Sequence, residues 1–292
     1  MKKLFKYERS RYFQDPNATL LVQRQINQPR EPQHLHEFVE LVIVVTGSAL
    51  HRIGKLHYRL RPGDIFVINP RRSHGYEETE NFHIANILIR EDFFQKIHPS
   101  MAALPRYHSL FALEAASSGD SGFESRTRLE GEDFQQAIRW TETLEREAAP
   151  TTPGGWALAE AALVLLIGLI CRSSDGPAEA PETATTQIGR LLSWIESRAE
   201  QPIRMSAMAR VAGMSERTLL RRFQEATGRS PLEHVIETRL RRARALLENS
   251  AMDLSHDEIA WRCGFENGNY LARRFKKWTG VSPREWRQSR AF

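Results

Sequence analysis

The chain is short of cysteine. Two occur in 292 residues, Cys171 and Cys263, far apart in sequence. Two thiols cannot build a disulfide framework or a cysteine-rich zinc module. Long apolar runs are scarce too. The most apolar stretch, Trp156 to Cys171, contains Glu160 and reads as short of a membrane span. The opening residues, Met1-Lys2-Lys3-Leu4-Phe5-Lys6, lack the apolar core of a secretory signal. The expectation is a cytoplasmic protein that does not engage membranes. Evenly spread charge is also missing. The formal charge of +5 averages two unlike parts. From Gln187 to Phe292, 20 Lys and Arg face 12 Asp and Glu, a net +8, whereas Met1 to Thr186 holds 21 against 24, a net −3. Most cations of the basic third are arginines, which fork onto phosphate or guanine. The acidic partner implied is therefore a partner of that third alone.

The length suffices for two compact domains with connecting helices. The stretch to about Ile89 reads as β. Leu20 to Arg24 and Ala49 to Ile53 alternate apolar and polar, and Leu41-Val42-Ile43-Val44-Val45 suits a buried strand. Turn signals at Gly47, Gly54, Pro62-Gly63 and Asn69-Pro70 separate short strands, as in a sandwich or barrel. Helical spacing follows from about Glu132 to Glu147 and from Trp156 to Cys171. Ser173 to Thr186 is rich in Pro, Ala, Glu and Thr without periodicity, the signature of an exposed linker.

The basic third repeats itself. Leu219, Arg221, Arg222, Phe223, Thr227, Gly228, Ser230 and Pro231 recur at constant offset as Leu271, Arg273, Arg274, Phe275, Thr279, Gly280, Ser282 and Pro283. Such a repeat signals a duplicated supersecondary unit. Each copy has the logic of a helix-turn-helix. Ala209 or Ala260 allows close approach, Gly213 or Gly264 makes the turn, and Ser215 or Asn267 caps the second helix. Leu219 and Phe223 then face inward, as do Leu271 and Phe275. Arg217, Thr218 and Arg221 point outward, as do Asn269, Ala272 and Arg273, offering Arg and Asn to base edges in a major groove. Ser230-Pro231-Leu232-Glu233 and Ser282-Pro283-Arg284-Glu285 fit capping boxes with Pro at the first helical position. The first opens a helix through Ile236, Leu240 and Leu247 that would bridge the two copies. Arg239, Arg241, Arg242 and Arg244 on it suit a solvated face or phosphate contact better than base readout.

These residues resemble the AraC/XylS DNA-binding domain from about Gln187 to Arg290. The second copy carries the resemblance best, in Glu258-Ile259-Ala260, Cys263-Gly264-Phe265, Tyr270-Leu271, Arg274-Phe275-Lys276-Lys277, Gly280, Ser282-Pro283 and Arg287. Trp286 departs from the Tyr or Phe more common in that family. The resemblance implies promoter DNA as partner, read by two recognition helices in successive major grooves. By position, Arg217, Leu220 and Arg221 would face bases in one groove, and Asn269, Ala272 and Arg273 in the other. Gly268 and Ala272 are small, so the second helix would read fewer bases.

The N-terminal third gathers His34, His36, Glu40 and, from a separate strand, His74. Residues two apart on a strand share a face, so His34, His36 and Glu40 keep one parity. Three imidazoles and a carboxylate can hold a divalent transition metal. The pattern is similar to the two motifs of cupin barrels. The flanking residues, His34 to Val44 and Gly63 to Ile68, are similar to the sensor cupins of rhamnose-responsive AraC-family regulators. Those relatives are taken to bind a sugar in the barrel. Three readings stand: histidines bonded only to each other and the barrel lining, a sugar or other small polar effector bound by His34, His36, Glu40 and His74, and a metal on the same four residues. A metal-dependent cupin enzyme fits them too, but the fused helix-turn-helix pair argues against an enzyme.

The expected architecture is α+β: a cupin barrel over residues 1–115, dimerisation helices over 116–172, a linker over 173–186 and an all-α double helix-turn-helix domain over 187–292. The expected function is a ligand-responsive transcription regulator, a homodimer that works with RNA polymerase. A metal-responsive or ligand-free regulator is the alternative.

Overall fold

The computed structural model describes residues 5–70, 72–113, 126–148, 154–173, 184–249 and 254–289. The chain divides into two compact units, Met1–Gly189 and Arg190–Phe292. Most of the expected linker, 174–183, lies outside the described residues, and a helix begins at Ala184, inside its last positions.

The first unit is built on one sheet. Its strands are β1 (Phe5–Tyr7), β2 (Leu20–Gln25), β3 (Glu31–His36), β4 (Val39–Ile53), β5 (Leu56–Leu60), β6 (Asp64–Ile68), β7 (His74–Ile89) and β8 (Arg126–Arg128). They pair in the order β1-β3-β7-β4-β6-β8, with β2 added to β7 and β5 to β4. The two long strands β4 and β7 run antiparallel and are the spine. The run Leu41 to Val44 is buried on both faces, which explains its unbroken apolar character. Val42, Val44, Phe66, Ile68 and Ile84 pack on the inner face with Ala49 and Ile53. Leu41, Ile43, Ile65, Val67 and Ile87 form the outer face.

Helices cover that outer face. They are α2 (Glu91–Met101), α3 (Gly131–Glu147) and α4 (Gly155–Arg172), after a short α1 (Arg9–Tyr12). Phe93, Phe94 and Ile97 of α2, Leu144 of α3 and Leu163, Leu166, Ile167 and Ile170 of α4 join the sheet in one cluster. Two expectations need correction here. Residues 116–172 are not all helical, because β8 pairs with β6, Asp64 opposite Arg128. Three residues, Arg-Thr-Arg, are too few to show an alternation. Nor does the apolar stretch fall short of a membrane span in length, since α4 has 18 residues and enough hydropathy. Its role is packing: the Leu163 side is fully buried against the sheet cluster.

The second unit is all helix. After α5 (Ala184–Arg198), which enters it, come α6 (Met205–Ala212), α7 (Glu216–Thr227), α8 (Pro231–Glu248), α9 (His256–Arg262), α10 (Gly268–Thr279) and α11 (Pro283–Gln288). The helix starts follow the capping chemistry. Ser215 accepts from the Thr218 amide, and Asn267 Oδ1 from the Tyr270 amide at 2.8 Å. Ser230–Glu233 and Ser282–Glu285 form capping boxes with Pro at the helix start, and Ser255–Glu258 adds a third box. Leu219, Phe223, Leu271 and Phe275 are fully buried, and α8 packs against helices of both repeats.

Candidate functional site

The first unit holds a half-open cavity of about 320 Å³ lined by residues of β3 and β7 among others. His36, Glu40 and His74 meet on its wall. Glu40 Oε2 lies 3.4 Å from His36 Nε2 and 3.2 Å from His74 Nε2. Neither contact has hydrogen-bond geometry, and all three atoms are buried without a hydrogen-bond partner. The distances suggest an ion pair, but the electrostatics run the other way. Burial lowers His36 to about 4, against the pull of Glu40. Burial drives His74 well down and Glu40 up. Desolvation therefore favours the neutral forms of all three groups over a charged pair.

His36 is held from behind, its Nδ1 2.7 Å from the Phe38 carbonyl. That contact leaves Nε2 to face Glu40. His34 is turned differently. Its Nδ1 lies 3.2 Å from the Pro32 carbonyl and 3.4 Å from Glu31 Oε1. Its ring lies tilted against His74, centroids 4.4 Å apart, but it is not part of the group whose ligand atoms converge. That group is His36, Glu40 and His74. Two imidazoles and a carboxylate fit a divalent transition metal by donor chemistry, with His34 left out of the expected set of four.

Several lining residues escape a reading of the sequence. Glu31 accepts from Tyr7 Oη and from Gln28 Nε2, each at 3.0 Å. Tyr76 Oη and Asn86 Oδ1 are buried without a hydrogen-bond partner. His51, which shows no pattern in the sequence, does not line the cavity; it is fully buried 5.7 Å from His74 between centroids, and stacks on Tyr76.

In the second unit the outward residues of α7 and α10 stand as follows. Arg217, Leu220, Arg221, Asn269 and Arg273 are exposed, while Thr218 and Ala272 are partly covered. Thr218 accepts from the Ser215 hydroxyl at 2.9 Å, so its own oxygen serves the helix cap. Arg221 donates to Glu225 at 2.8 Å, and Arg273 lies 5.8 Å from the Tyr270 ring centroid. Arg244 of α8 is exposed, but Arg239, Arg241 and Arg242 have a different task from the expected solvated face. Arg239 donates to the Ala199 and Gln201 carbonyls at 2.7 and 2.8 Å. Arg241 and Thr238 bind the buried Glu196, and Arg242 binds Glu200. They fasten the end of α5 to α8.

The family model of the AraC-like ligand binding domain matches residues 16–186. This chain belongs to the AraC family. A helix-turn-helix domain model matches residues 208–289 of this AraC-family chain. The HTH-type transcriptional activator RhaS of Enterobacter sp. (strain 638) is 28% identical over 280 residues, 96% of this chain and 95% of that protein. RhaS of Escherichia coli (strain SE11) matches at the same identity and coverage. Among solved structures, the DNA-binding domain of AdpA in complex with a target DNA is 38% identical over 35% of this chain and 91% of its own, with a TM-score of 0.33. The AraC family member described here is thus a DNA-binding transcription regulator with a small-molecule domain, and not an enzyme.

Proposed function

We propose that the protein is a transcription activator whose barrel binds a sugar. One observation carries the effector reading. The cavity wall holds buried polar atoms of His36, Glu40, His74, Tyr76 and Asn86 that lack hydrogen-bond partners. Each such atom costs roughly 1–3 kcal/mol when left unmade. A ligand with several hydroxyls would satisfy them together, and His34, turned toward Glu31, would contact it from the side. The likeness to rhamnose-responsive sensors makes rhamnose the first sugar to try. A thermal-shift panel of sugars tests this. A cognate sugar at 100 times its dissociation constant should add about 2.7 kcal/mol. A flat panel overturns the reading.

A second reading rests on the convergence of ligand atoms from His36, Glu40 and His74. A divalent transition metal there would make the domain a metal sensor. Stoichiometric metal by mass spectrometry, in protein purified without added metal, would favour it.

For DNA, Arg217, Thr218, Leu220 and Arg221 form one reading surface, and Asn269, Ala272 and Arg273 the other. The face of α4 away from the sheet supports homodimerisation. Leu158 and Leu165, 54% and 47% exposed, lie seven residues apart on it with the exposed Ala161 between. Pairing through α4 would set two DNA-binding modules on two half-sites. The protein would act in the cytoplasm, where the promoter and RNA polymerase are found. The activator reading follows the name of the RhaS relatives.

A further inference from the structure

Four arginines converge on a small hollow of the first unit, lined by no residue of the effector cavity. Arg59 comes from β5, Arg61 from the turn after it, and Arg126 and Arg128 from β8. Arg126 and Arg128 are two apart on a strand and leave it on one side. The hollow measures about 150 Å³. The region that holds it, Met1 to Thr186, is acidic overall, with 21 cations against 24 anions. Four cations gathered at one point of an acidic unit need a counter-charge.

Among the described residues, the carboxylates nearby supply it for two of the four. Asp64 is buried and already engaged: Arg128 Nε donates to Oδ1 and the Arg61 amide donates to Oδ2, each at 2.8 Å. Glu78 takes Arg59 at 3.0 Å. Among the described residues, the guanidinium groups of Arg61 and Arg126 have no carboxylate partner. Arg126 sits 4.7 Å from the Tyr58 ring centroid, which orients it without neutralising it.

Size narrows the ligand. At about 30 Å³ per water, the hollow holds roughly five water-sized atoms. A phosphate group has five heavy atoms, and its oxygens match guanidinium forks. Arg61 is exposed at the rim, so a substituent on the phosphate has a way out to solvent.

The geometry points to a second ligand site here: a phosphate dianion, free or as a small monoester, held by Arg61 and Arg126. Arg59 and Arg128 add flanking charge. The site would give the sensor an anionic input separate from the cavity of His36, Glu40 and His74, and it does not depend on the sugar reading.

The full chain is titrated with inorganic phosphate and with glycerol 3-phosphate, at ionic strength held constant with chloride. Glycerol is the neutral control. Saturable binding of either phosphate by calorimetry is expected, with a rise in melting temperature and no effect of glycerol. Tighter binding of glycerol 3-phosphate identifies a monoester as the source, and tighter inorganic phosphate identifies the free ion. R61Q/R126Q should weaken phosphate binding at least about tenfold, the scale of one lost charge-assisted hydrogen bond. R146Q, on the exposed face of α3, should bind as the unaltered protein does. If the double variant does not melt cooperatively, R61Q alone serves, since Arg61 is exposed. No phosphate binding beyond chloride, or equal binding by R61Q, R61Q/R126Q and R146Q, overturns the proposal.

Discussion

Glu40 Oε2 of β4 and His74 Nε2 of β7 lie 3.2 Å apart, both buried, on the wall of the cavity in the first unit. Burial pushes each toward its neutral form, so the pair is a set of available hydrogen-bonding groups rather than a structural salt bridge. E40A should therefore leave the fold and effector-free operator binding intact. It should lower effector-dependent reporter activation at least about tenfold, as expected for a lost bond to a polar ligand. An unchanged reporter response would count against a role for Glu40.

The buried imidazoles set a pH dependence. His36 is lowered to about 4 in the folded protein, against an ordinary value of 6.5. A lowered value means stability that is whole above 6.5 and lost as pH falls toward 4. His74 and His51 are shifted the same way by burial. Glu40, raised, acts in the opposite sense, giving stability at low pH that is lost as pH rises. Three imidazoles outweigh one carboxyl, so the urea midpoint of metal-free protein should drop between pH 6.5 and 4.5. H51F should flatten that drop. A midpoint that stays level over this range would refute the assignment.

Two turn glycines should differ in their tolerance of alanine. Gly264 has φ +83°, and a Cβ there would meet the Ala199 and Glu200 carbonyls at 2.7 Å. Gly228 has φ +75° but open space around it. G228A carries only the left-handed strain, about 1–2 kcal/mol. G264A adds a clash with backbone and should cost clearly more. Thermal melts of the two variants compare them directly, and equal losses would contradict the packing described.

Arg221 and Arg273 occupy equivalent places on α7 and α10. R221A should lose about 1–3 kcal/mol of operator binding and relax preference at one base pair. R241A should instead lower the melting temperature of the DNA-binding unit, since Arg241 binds the buried Glu196. Selection from randomised sites reads the first effect. A sequence preference that R221A leaves unaltered would remove Arg221 from the reading surface.

Both thiols are buried, and burial raises Cys171 to about 12 and Cys263 to about 11. Neither should react with a thiol reagent at neutral pH until the chain is unfolded, when two should titrate. Rapid labelling of the native protein would place one of them at the surface.

The repeat made the second unit legible. Ser215, Asn267, Ser230 and Ser282 announce helix starts through local chemistry that packing does not overrule. The barrel was legible in part. Parity carries His36 and Glu40 to one face, but it fails along β4, because the β4–β7 pairing shifts between Val44 and Leu50. Val42 and Val44 face inward, and so do Ala49 and Ile53 after the shift. His51 turns inward with them, which alternation counted from Glu40 cannot foresee. A second shift lies between Glu31 and His34, and it conceals the polar cluster of Glu31, Tyr7 and Gln28. The roles of Arg239, Arg241 and Arg242 on α8 are hidden for another reason. Their partners, Glu196, Ala199 and Glu200, lie some 40 residues away, beyond any helical spacing.

The sugar-binding claim is tested most directly by calorimetric titration of rhamnose, and of the best sugar from the thermal-shift panel, into the unaltered protein and into E40A and H74F. The account predicts one saturable site per chain in the unaltered protein and a loss of at least about tenfold in both variants. Absence of sugar binding together with one tightly held metal ion per chain, or equal sugar affinity in all three proteins, would contradict it.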